Sequence, residues 1–219
     1  MEAMTENKVV PMLRFGEFDG GWIDYRLGDV CNKIQDGNYG GSYPKADEFV
    51  KEGIPFLTSK ALGGDGFLKE DKFDFLPIKK HNQLKKAHIE LNDVLFTNRG
   101  SNVGVISFVD ERINGGNIGP QLTLLRSDLN IVTPLFLKVS LVTFNFKKQV
   151  KSQDSGSAMN FFGIKATSRF KLHLPALPEQ KKIATFLSSV DAKIQELSKK
   201  KSLLADYKKG VMQKIFSQE

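Results

Sequence analysis

Cysteine is nearly missing from this chain of 219 residues: Cys31 stands alone. That excludes an internal disulfide, and with only His81, His88 and His173 beside it a closed zinc site lacks ligands. Tryptophan is equally scarce, with Trp22 set against 17 phenylalanines, so a packed aromatic core is expected to be made of Phe. No apolar run approaches the roughly 18 residues that a membrane span requires. Met1 to Asn7 is polar and acidic, without the apolar stretch of a secretion signal. The expectation is a soluble protein of the reducing cytoplasm, without membrane contact.

Catalytic constellations are lacking as well. There is no Gly-x-x-x-x-Gly-Lys-Ser/Thr phosphate loop, and Gly63-Gly-Asp-Gly has no third glycine of a dinucleotide turn. An amino-methyltransferase acting on DNA is expected to carry Asp/Asn-Pro-Pro-Tyr/Phe, and Asn117-Ile-Gly-Pro does not match it. Glu179-Gln-Lys181 has the Glu-x-Lys spacing of a nuclease metal site but no preceding Pro-Asp. Glu179 is assigned instead to the positive end of a helix dipole. None of the three histidines sits in a nucleophile context. The chain is therefore expected to be non-catalytic, with no metal and no cofactor.

What is present is a rod. After Leu174-Pro-Ala-Leu-Pro-Glu-Gln180, about 37 residues keep one helical period. Pro175 and Pro178 are expected to hinge a globular body onto it. Its apolar seam is Ile183, Leu187, Val190, Ile194, Leu197, Leu204, Val211 and Ile215, broken at Lys201 and Lys208. This is the repeat of a coiled-coil stripe, which needs a partner helix to cover it.

The body, residues 1–174, reads as mixed α and β. Ile54 to Thr58, Asp93 to Thr97, Val103 to Val109, Gln121 to Leu125 and Arg169 to Leu174 have strand patterns. Leu76 to Lys86 looks helical, Pro134 to Lys148 has helical and mixed spacing, and Asp36 to Pro44 reads as an exposed loop. Charge is uneven along the chain. Residues 1–137 hold 16 basic and 19 acidic side chains, whereas residues 138–174 hold seven basic and one acidic. In that second stretch lysines alternate with Phe144, Phe146, Phe161, Phe162 and Phe170, a pattern that suits a phosphate-facing surface backed by a core. A solvated basic face would look the same.

The string Leu174-Pro-Ala-Leu-Pro-Glu-Gln-Lys-Lys-Ile-Ala-Thr-Phe-Leu-Ser-Ser-Val-Asp-Ala-Lys-Ile194 resembles the junction between a target-recognition domain and the conserved spacer helix in the DNA-specificity subunits of type I restriction-modification systems. Weaker landmarks of the same family are Leu13-Arg-Phe-Gly-Glu-Phe with Trp22, Arg26-Leu-Gly-Asp-Val30, Gly53-Ile-Pro-Phe, Leu91 to Ser101 and Lys208 to Phe216.

The resemblance implies an α+β fold: one mixed α/β target-recognition domain, residues 1–174, then a long coiled-coil-forming helix, residues 175–219, for dimerisation and docking. Family members of full length carry two of each, so one of each implies a homodimer through antiparallel helices. The rod from Glu179 to Phe216, roughly 57 Å long, would act as a ruler between two half-sites of a bipartite target. The implied partners are double-stranded DNA, a second copy, the adenine methyltransferase (modification) subunits and, beyond these, the restriction subunit.

Base edges are read by side chains with paired donors and acceptors on protruding loops. The candidates are Gln35, Asn38, Tyr39, Ser42 and Tyr43; Thr58, Ser59 and Lys60; Asn98, Arg99, Ser101 and Asn102; and Ser155, Ser157 and Asn160. Asn98 and Arg99 are the leading pair. Lys147, Lys148, Lys151 and Lys165 are assigned to phosphates, where they add affinity without sequence choice. Two other classes compete with this reading: a stand-alone DNA endonuclease, and a protein-interaction scaffold whose basic face meets acidic proteins.

Overall fold

A computed structural model describes residues 10–152 and 161–217. In chain order the elements are β1 (Ile23–Arg26), α1 (Leu27–Val30), β2 (Cys31–Asp36), β3 (Ile54–Leu57), β4 (Asp74–Leu76), α2 (Ile78–Gln83), β5 (Val94–Thr97), β6 (Ile106–Phe108), β7 (Asn117–Ile118), β8 (Leu122–Ser127), α3 (Pro134–Leu141), α4 (Phe144–Ser152), α5 (Ile164–Thr167), β9 (Lys171–Leu174) and α6 (Leu177–Phe216). The expected class holds: a mixed α and β body followed by a long helix.

The centre is an antiparallel sheet in the order β2-β8-β5-β6. Strand β5 is buried along its whole length. Its alternation sends Val94 and Phe96 into one core and Leu95 into another. The first core is phenylalanine-rich, as the composition suggests: Phe96 meets Phe146, Phe162 and Phe170 edge-on at 6.1–6.2 Å between centroids. On the other side lies the small sheet β4-β3-β7, in which β3 and β7 run parallel. A third pairing, β1 with β9, joins the start of the body to its end, with Ile23 opposite Leu174.

Local chemistry moves two boundaries. The segment from Pro134 onward is two helices, because the Thr133 hydroxyl accepts from Phe136 N at the start of α3 and the Thr143 hydroxyl accepts from Phe146 N at the start of α4. The helix expected from Leu76 begins only at Ile78, because Leu76 pairs with Ile54 in β4. Pro178 is not outside the rod: α6 starts at Leu177 and takes Pro178 into its first turn, where a missing N–H loses no bond.

Helix α6 packs its first turns on α3. Ala184 is buried and Ile183 lies against the phenylalanine core. Beyond Asp191 every described side chain up to Lys209 is exposed. No helix among the described residues is long and apolar enough to cross a membrane.

Candidate nucleic-acid interface

Five segments converge at one end of the central sheet, where two glycines let their backbones touch. A Cβ on Gly37 would stand 2.1 Å from the carbonyl oxygen of Gly119, so no larger residue fits. Gly119 N donates to Leu57 O at 2.7 Å, Gly37 N to Leu122 O at 3.1 Å, Asn98 N to Gln121 O at 2.9 Å, and Phe162 N to Asn98 O at 2.8 Å. These bonds gather Asn38, Thr58, Asn98, Arg99 and Gln121. In each of the five, a buried side-chain atom has no hydrogen-bond partner among the described residues: Asn38 Nδ2, Thr58 Oγ1, Asn98 Oδ1, Arg99 Nε and Gln121 Oε1. An unpaired buried polar atom costs about 1–3 kcal/mol, and folded proteins hold few of them. Among the described residues Thr97, Asn117 and Ser127 hold further such atoms, but five of the eight gather here, which suits groups completed by an outside polar partner or by ordered water.

Beneath this edge, Asp36 accepts from the Thr123 hydroxyl at 2.5 Å and from Asn98 Nδ2 at 3.2 Å. Burial pushes its carboxyl above the usual range, against the opposing pull of those two hydrogen bonds and of the Arg99 charge. Arg99 itself lies over the ring of Phe161, its guanidinium carbon 4.2 Å from the centroid.

Exposure on a loop is the expectation that fails at several candidates. Asn98 is fully buried, with its amide bonded to Asp36 and Thr123, so it belongs to the framework under the edge. Tyr43 packs edge-on against Phe56 at 5.8 Å in a small satellite core, and burial raises its phenol pKa. Asn38 and Thr58 are also buried, each with one unpaired side-chain atom. For Asn38, Thr58 and Asn98 the reason is shared: the segments that enclose them come from distant parts of the chain.

Gln35 donates to Asp36 O, and Ser42 donates to Tyr39 O in an exposed turn beside the exposed Tyr39. Ser59 is half-buried, while Lys60, Ser101 and Asn102 are exposed. Ser155, Ser157 and Asn160 lie outside the described residues. Gln121 was not among the candidates, although its place directly after Gly119-Pro120 and before a buried strand was a usable signal.

A groove of about 1020 Å³ runs between the body and α6, and Ser101, Lys138, Lys147, Lys151, Asp191 and Ile194 are among its lining residues. Lys148 and Lys165 are exposed elsewhere, on α4 and α5. The seam splits in two. Ile183 and Leu187 are partly covered by the body, whereas exposure from Val190 to Ile215 runs from 41% to 67% at Val190, Ile194, Leu197, Leu204 and Ile215. Val211 is half-buried.

Other chemistry is quiet among the described residues. No three His, Cys, Asp or Glu side chains are grouped to share an ion. The Cys31 thiol is pushed up to about 12, by burial first and then by the charge of Asp93, so it is not a thiolate near neutral pH.

The fold and the site thus define a mixed α/β body with a cluster of unsatisfied amide, hydroxyl and guanidinium groups, followed by a long helix that shows an apolar stripe to solvent. The chain belongs to the type I restriction-modification DNA specificity domain family, whose model matches residues 19–205. It is 30% identical over 199 residues to the specificity subunit of the type I restriction enzyme MjaVIII of Methanocaldococcus jannaschii, covering 90% of this chain and 42% of that one. The specificity subunit of the HindI enzyme of Haemophilus influenzae is 27% identical over 177 residues, 80% of this chain and 36% of that one.

The crystal structure of a type I S subunit from M. genitalium shares the fold, with a TM-score of 0.61 at 20% identity over 90% of this chain and 46% of that chain. The chain spans less than half the length of the curated relatives it matches.

Proposed function

We propose that this protein is the DNA-reading subunit of a type I restriction-modification system. It is a non-catalytic protein of the cytoplasm that reads one half of a bipartite target. Two copies join through antiparallel α6 helices, and the pair recruits adenine methyltransferase subunits and the restriction subunit. The bases are read at the convergence around Gly37 and Gly119 by Arg99 and Gln121, helped by Asn38, Thr58, Ser59, Lys60, the half-buried Gln35 and the exposed Tyr39, Ser42, Ser101 and Asn102. Lys147, Lys148, Lys151 and Lys165 meet phosphates.

The observation that carries this reading is the apolar stripe on α6. Residues 190–215 display it to solvent on a helix that, at 40 residues, is about 60 Å long. A second copy of the same helix covers it with like side chains, and the symmetry of that pair makes the two half-sites identical. The test is selection from random duplex DNA by the full chain together with its modification subunit. An interrupted palindrome is expected, and an asymmetric site counts against the homodimer.

A further inference from the structure

The first turn of α6 carries two buried polar side chains that the reading above does not use. Glu179 and Gln180 are each only 1% exposed. Glu179 does not serve the helix dipole alone: its carboxylate takes a two-point ion pair from Arg14, Nε at 2.8 Å and Nη2 at 2.6 Å, and a third bond from Trp22 Nε1 at 3.3 Å. The Gln180 amide is fully engaged on another side. Its oxygen accepts from Thr133 N, and its nitrogen donates to Ile131 O and Pro175 O, all at 2.9 Å.

Neighbouring residues on an α-helix point about 100° apart, since 3.6 residues make a turn. The two side chains therefore tie the base of α6 in two directions, one to the segment before β1 and one to the loop that starts α3. Together they restrain both tilt and rotation of the rod against the body. The lever is long: a 10° change at the base of a rod of about 60 Å moves its far end by about 10 Å, which is about 3 base pairs along DNA.

We propose that Glu179 and Gln180 are positioning residues that fix the angle between reader and spacer, and through it the number of base pairs allowed between half-sites. This rests on the reading of the chain as a paired DNA-specificity subunit. The partners lie in two separate parts of the body, the segment around Arg14 and Trp22 and the Ile131–Thr133 loop, with Pro175 in the lead-in to α6 as a third, so the joint is rigid only when the body is folded around it.

The test compares spacing, not binding strength. The full chain with its modification subunit is used to select from random duplex DNA, as wild type, as Gln180→Met and as Arg14→Ala. Wild type is expected to return one spacing, and both variants the same half-site sequence with spacings spread over about 3 base pairs. Arg14→Ala cuts only the partly exposed tie and keeps the test alive if Gln180→Met does not fold. Val109→Ala, in the separate core beneath β5, controls for general loss of stability and is expected to keep one spacing.

Variants with the single wild-type spacing overturn the positioning role alone, as does an equal spread in Val109→Ala. A wild type that returns no paired half-sites overturns the functional reading beneath it.

Discussion

Arg99 and Phe161 form an isolated antiparallel bridge through their backbones while the guanidinium of one lies 4.2 Å above the ring of the other. The ring holds the planar fork in one orientation before any partner arrives, which removes part of the ordering cost of binding. A bidentate arginine contact to a base is worth about 1–3 kcal/mol of discrimination. Arg99→Ala is therefore expected to lower the preference for cognate over random DNA by about 5- to 150-fold. Phe161→Ala should shift it in the same direction by less. Competition between the two duplexes at one salt concentration measures this, and equal weakening on both would remove Arg99 from the readout.

Lys148 differs in kind. It is exposed on α4, where a lysine adds attraction to any phosphate. Lys148→Ala is expected to weaken cognate and random DNA alike and to reduce the slope of log K against log salt by about 0.9. A salt titration of both duplexes checks it; a change in sequence preference would contradict the assignment.

The mixed class and the rod were legible in the sequence because both are local patterns: the apolar run Val94 to Phe96 and the alternation of Arg169 to Leu174, and the seven-residue repeat after Gln180. The status of single polar residues was not. Asn98 reads as a turn residue beside Arg99, yet the side chains that bury it are Asp36, 62 positions away, and Thr123, 25 positions away. Gln121 reads as the start of a strand, and only the contact of Gly37 with Gly119 places it at the edge. Glu179 reads as a helix-dipole residue because its partner Arg14 lies 165 positions earlier. Long-range pairing decides burial, and a single sequence does not display it.

Asp36 supplies a pH test. Its folded pKa is raised above the ordinary 3.8, first by burial. A raised carboxyl binds its proton more tightly in the folded state, so the stability it contributes is complete below the unfolded value and is lost as pH rises through the folded one. Asp36→Asn keeps an oxygen to accept from Thr123 and Asn98 and removes that loss. The variant is expected to gain melting temperature relative to wild type at pH 7, with the gain shrinking toward pH 4. Parallel melting curves across this range, with a constant difference, would show that Asp36 is not the source.

Leu197 and Leu204 are 53% and 57% exposed and stand where the body no longer reaches α6. Glutamate at both positions therefore leaves the body's cores untouched and places charge in the middle of the stripe. Covering a seam side chain contributes about 1.5–3 kcal/mol. Five such residues per helix, ten in the pair and each about half exposed, contribute about 8–15 kcal/mol, comparable to the roughly 4–15 kcal/mol lost on association, and Lys201 and Lys208 interrupt the stripe and weaken it. Sedimentation of wild type should report a dimer, and Leu197→Glu with Leu204→Glu a monomer. The unfolding of the body in that monomer should be little changed, because the altered side chains touch only the absent partner. A wild-type chain that sediments as a monomer would leave the stripe without the cover assigned to it, and a double variant that stays dimeric would place the contact elsewhere on the molecule.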